Sequence, residues 1–147
     1  MILKNKNIRL LLGICMFIGN VRAAEREEKI DNECILQTFQ GPTSTVCSVA
    51  FHSNGTILVL GALNGDITLW DIESRTCLKT WKGHARSTNS VALSPDSNIL
   101  ASGSNDGTVK LWNMRTGQCI QVLNAHGHYV HSVAFSPDNK ALIFWFR

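Results

Sequence analysis

The chain has 147 residues, one domain's worth of length, with 44% apolar and 17% charged residues. That ordinary globular balance excludes a generally disordered protein. The formal charge of +3 misleads when read whole: Lys4, Lys6, Arg9 and Arg22 sit in the first 23 residues without an acid, and the remainder holds 10 basic and 11 acidic side chains. A folded part with no basic excess excludes nucleic acid as a main partner.

Residues 1–23 place three basic residues before an apolar run, Leu10 to Gly19, and follow it with Val21, Ala23 and Ala24. This is the order of a secretory signal peptide, and the run is too short to span a bilayer of about 30 Å. The alternative is a mis-assigned or vestigial N-terminus. Localisation follows the choice: secreted if the signal is used, otherwise cytoplasmic or nuclear. Residues 24–33 (AEREEKIDNE) are expected as a charged linker.

From residue 34 the chain repeats itself. Ser48-Val49-Ala50-Phe51, Ser90-Val91-Ala92-Leu93 and Ser132-Val133-Ala134-Phe135 are 42 residues apart, as are Trp70 and Trp112. Each unit reads as four short strands. The first is an apolar run (46–51, 88–93, 130–135), closed by a turn such as Ser94-Pro95-Asp96-Ser97. The second (56–62, 98–103) ends in Asn64-Gly65 or Asp106-Gly107, a strong hairpin signal that predicts a type I′ turn. The third is expected over 66–70 and 108–112, the fourth over 77–81 and 119–123, with an extra strand at 35–39. No stretch past residue 24 has helical periodicity, so the expected class is all-β.

Cys77 and Cys119 fill one slot of the repeat. Neighbouring slots lie too far apart for a disulfide, which needs Cα atoms within about 7 Å, so both are expected as small buried side chains.

Gly83-His84, Ser94-Pro95-Asp96, Ala101-Ser102-Gly103-Ser104, Asp106-Gly107, Leu111-Trp112 and Trp70-Asp71 resemble the WD-repeat (WD40) β-propeller family, over about residues 34–142. The resemblance implies four-stranded antiparallel blades: two complete, part of a third, and a domain, 34–147, that is an incomplete, open propeller. It also implies a buried hydrogen-bonded network in each blade, here His84, Ser104, Asp106 and Trp112, with a structural role. The first unit keeps only Trp70 of that set, with Pro42, Ala62 and Asn64 in the other slots, and is expected to be held by packing alone. The third keeps His126 and has Phe146 in the serine slot.

Propellers of this kind close with about seven blades, about four being the low end. Two and a half cannot close a ring, and after Leu142 the expected Ala-Ser-Gly-Ser is replaced by Ile143-Phe144-Trp145-Phe146. The chain is therefore expected to be a fragment, a truncated form or a splice product of a larger propeller, with an unpaired apolar edge suited to self-association or docking.

The resemblance implies a protein-protein interaction module, a scaffold or adaptor, and not an enzyme. By slot, its partner-binding rim is Thr45, Cys47, Leu63, Arg86, Ser87, Asn89, Asn105, His128, Tyr129 and His131, with Arg86, Tyr129 and His131 the strongest candidates because aromatic and Arg side chains dominate interfaces. The alternatives are a truncated product without function of its own, or a secreted metal-binding protein resting on His126, His128 and His131. That set lacks a fourth ligand and a general base, so no metal, cofactor or catalytic residue is assigned. Asn54-Gly55-Thr56 is a glycosylation sequon in a turn.

Overall fold

Three apolar stretches in the repeat's first slot form the inner frame: β3 (Val46–Phe51), β7 (Thr88–Leu93) and β11 (Val130–Phe135). The structure, a computed structural model, describes residues 28–30, 34–36, 44–125 and 127–146. The expected signal peptide, 1–23, lies outside the described residues.

Blade 1 is the four-stranded sheet β3-β4-β5-β6, completed by β4 (Ile57–Ala62), β5 (Asp66–Asp71) and β6 (Thr76–Lys82). Blade 2 repeats it as β7-β8-β9-β10, with β8 (Ile99–Ser104), β9 (Thr108–Asn113) and β10 (Cys119–Asn124). The third unit has two strands, β11 and β12 (Leu142–Phe146). All pairings are antiparallel. This is an all-β, unclosed arc of two blades and half of a third.

Turn chemistry sets these lengths. In the first turn of each unit the fourth residue takes positive φ: Gly55 at 72°, Ser97 at 56°, Asn139 at 60°. The amide of that residue donates back across the turn, as in Ser97 N to Ser94 O at 2.7 Å. The second hairpin corrects the type I′ expectation. Its loop has three residues (Leu63-Asn64-Gly65, Asn105-Asp106-Gly107), and only the glycines have positive φ, 88° and 82°. The bonds Gly65 N to Ala62 O and Gly107 N to Ser104 O mark a type I turn followed by a left-handed glycine.

The blades pack face to face through apolar layers. Val59 and Ile67 of blade 1 meet Val91, Leu100 and Trp112 of blade 2; Ala101, Val109 and Ala125 of blade 2 meet Val130 and Val133 of the third unit. Each fully buried aliphatic chain contributes about 1.5–3 kcal/mol by leaving water. The layers are pinned by one repeated bond: Ser48 Oγ accepts from Val91 N and Ser90 Oγ accepts from Val133 N, both at 3.1 Å.

Two expectations need correction. Cys77 and Cys119 are exposed, not buried, because β6 and β10 are outer strands with little covering them. The charged stretch 24–33 is not linker throughout: β1 (Glu28–Ile30) pairs antiparallel with β2 (Cys34–Leu36). The extra strand expected at 35–39 is thus β2, paired with that polar segment.

Candidate functional site

Blade 2 carries a continuous polar chain through its interior. Trp112 Nε1 donates to Ser102 Oγ at 2.8 Å, Ser102 meets His84 Nε2 at 2.7 Å, and His84 Nδ1 meets Asp106 Oδ2 at 3.0 Å. Directionality follows from the donors. An indole N–H only donates, so Ser102 accepts from it and gives its own hydrogen to His84 Nε2. The imidazole proton is then on Nδ1 and donates to the Asp106 carboxylate. Asp106 also accepts from Ala85 N and from the Thr108 hydroxyl.

Burial holds the His84 pKa below its ordinary value, against the opposing pull of Asp106. Burial alone would raise the Asp106 pKa, but the Thr108 hydroxyl, the facing histidine and the Ala85 amide together hold it low. The histidine cannot be both uncharged and a cation that stabilises Asp106. The donor order above fits a neutral His84, so the Asp106 carboxylate is held ionised chiefly by its hydrogen bonds.

The serine of this chain is Ser102, which corrects the sequence assignment of Ser104. Both lie on one face of β8, two residues apart. The register pairs Leu100 with Trp112 and Ser102 with Lys110, which puts Ser102 diagonally beside the indole. Ser104 lies past the last pair with β9, and its hydroxyl accepts from Asp106 N at 2.9 Å, closing the turn. Thr108 is a member that sequence reasoning missed.

Among the described residues, blade 1 has no such chain. Leu60 occupies the Ser102 slot, and Trp70 Nε1 is buried without a partner. Asn64, in the Asp106 slot, is exposed, and its side chain bonds the adjoining Asp66. Pro42 lies outside the described residues, as does His126 in the third unit, where Phe144 takes the Ser102 slot.

The predicted rim lies along one end of the blades. The register of each inner strand shifts by one residue at Cys47, Asn89 and His131, a bulge that re-aims the side chain. Leu63 N donates to Thr45 O, and Asn105 N to Ser87 O, tying each second turn to the loop before the inner strand. Neighbouring blades meet there too: Asn89 Nδ2 donates to Asn105 Oδ1 at 2.6 Å and to Val130 O of the third unit at 2.8 Å.

The ten candidates therefore divide. Ser87 is buried and, with Asn89 and Asn105, engaged in internal hydrogen bonds. Thr45, Cys47, Leu63, Arg86, His128, Tyr129 and His131 are exposed. His128 stacks on Phe146 with ring centroids 5.4 Å apart. Among the described residues, no three of His, Cys, Asp and Glu are grouped as a metal site, and no helix is long and apolar enough to cross a membrane. Asn54 is exposed in its turn, its side-chain oxygen accepting from Thr56 N at 3.0 Å.

A model of the WD domain, G-beta repeat family matches residues 33–71, 75–113 and 117–143. Among solved structures, one described as the crystal structure of RRP9 WD40 repeats superimposes with a TM-score of 0.68 at 21% identity, covering 72% of this chain and 34% of that one. One described as the structure of U3-55K gives 0.68 at 20% identity with the same coverage. The chain thus spans about a third of the solved chains it matches. No curated protein sequence matches it.

Proposed function

The chain belongs to the WD-repeat family, and on that premise we propose that it acts as a protein-interaction module, a scaffold or adaptor surface without catalysis of its own. One observation carries this reading. Exposed side chains from three successive blades, Leu63, Arg86, Tyr129 and His131 among them, line one end of a frame whose inner strands are cross-tied by Asn89. A surface held rigid by buried hydrogen bonds binds with a smaller ordering cost. Arg86 and Tyr129 are the residue types that dominate interface energetics, and Tyr129 is 48% exposed.

The test is affinity capture from the native compartment with the wild-type chain, Arg86→Glu with Tyr129→Ala, and Lys140→Glu on the opposite turn as control. Partners lost with the rim variant and kept with the control support the reading; capture unaffected by the rim variant refutes it.

A second reading, that the arc is a segment of a larger propeller, is favoured by its one-third share of the solved chains. Further 42-residue units in the genomic sequence past codon 147 would support it, and non-repeating sequence there would remove it.

A further inference from the structure

Each blade receives the next one at a glycine. A Cβ on Gly61 would lie 2.8 Å from Thr88 Cγ2 and 3.1 Å from both Thr88 O and Val91 Cγ1. One on Gly103 would lie 2.5 Å from Val130 Cγ1 and 3.0 Å from Val133 Cγ1. The inner strand of the following blade therefore presses against bare backbone at this slot. In β12 the same slot, opposite the serine of the inner strand, is Trp145: the register pairs Ser48 with Gly61, Ser90 with Gly103 and Ser132 with Trp145. Trp145 is 71% exposed.

Two other parts of the receiving face are in place on β11 and β12. Ser132, in the slot where Ser48 and Ser90 accept the next blade's amide, is exposed. Ile143 stands where blade 1 has Val59, which the next blade buries. At the opposite end of the arc, blade 1 offers Val46 and Val49 in the slots of Thr88 and Val91, and Val49 is 36% exposed. The two ends of the described arc thus carry inner-strand parts of the same interface. A second copy seated head to tail would repeat the spacing of the blades, and such a contact propagates into rings or open filaments.

We propose that Trp145 is a steric guard on the third unit's outer face, blocking head-to-tail stacking of this chain on itself. Where a single Cβ already overlaps, an indole leaves no room for the incoming inner strand.

Light scattering after size exclusion, over a hundredfold range of concentration, tests this with the full chain. The wild type is expected as one discrete species built on the 16.2 kDa chain. Trp145→Gly is expected to add successive chain masses as concentration rises. Adding Val49→Lys to Trp145→Gly is expected to return the wild-type mass, because the incoming face would bring a charge into the apolar contact. Val49→Lys alone keeps the wild-type mass and shows that the change is tolerated. A Trp145→Gly variant that stays at the wild-type mass overturns the proposal. So does a series that Val49→Lys does not collapse, or a wild type that already forms the series.

Discussion

Blades 1 and 2 share strand order, turn lengths and packing face, yet they are stabilised differently. Blade 2 threads Trp112, Ser102, His84 and Asp106 into one hydrogen-bonded line. Blade 1 puts Leu60 where the serine would be and leaves the Trp70 indole N–H buried and unpaired. The fold is therefore not made by the polar chain, since apolar burial and turn chemistry build blade 1 without it. The polar chain adds rigidity and a penalty for breaking it, because a buried group stripped of its partner keeps its desolvation cost.

The largest effect is expected where the two blades meet. Gly65 has positive φ, and a Cβ there would fall within 2.5 Å of Arg86 O and no farther from His84 O. Gly107 has the same φ, but its nearest backbone neighbour would be 3.4 Å away. Gly65→Ala should cost about 3 kcal/mol or more and Gly107→Ala about 1–2 kcal/mol in chemical unfolding, the second reflecting only the left-handed backbone. Equal losses would mean that the first junction relaxes freely.

Next in size is Ser102→Ala, which orphans the Trp112 donor and the His84 acceptor together and should cost about 2–4 kcal/mol. Ser104→Ala loses a turn bond at the edge of β8 and should cost about 1 kcal/mol. A reversed order would return the serine of the chain to Ser104.

That pair also shows how much was legible in the sequence. The 42-residue spacing located the blades and the inner strands, because strand period and turn residues are local properties. It could not choose between Ser102 and Ser104, which share a face two residues apart. Only the register of Leu100 against Trp112 decides between them, and register is a long-range property. The exposure of Cys77 and Cys119 escaped for a related reason: a slot says nothing of how far an outer strand stands from its neighbours. Leu60 escaped with Ser102, because the serine slot was set two residues along at Ala62, and the consequence of Trp145 needed the distances around Gly103.

The smallest effect is the pH dependence that His84 adds in blade 2. Burial lowers the His84 pKa from its ordinary 6.5, so the unfolded chain takes up the proton first. His84 thus contributes fully above pH 6.5, and stability declines as pH falls from there toward the folded-state pKa. His84→Gln should flatten that slope in a pH series of unfolding curves. Asp106, held below its ordinary 3.8, adds a separate loss as pH drops under that value; a slope unchanged by His84→Gln would place the titration elsewhere.

The contrast between the blades is tested most directly by removing one indole N–H from each and comparing unfolding free energies. Trp112→Phe should cost about 2 kcal/mol more than Trp70→Phe, because the first breaks a satisfied buried chain and the second deletes a donor that had no partner. Equal costs, or a larger cost for Trp70→Phe, would contradict the account.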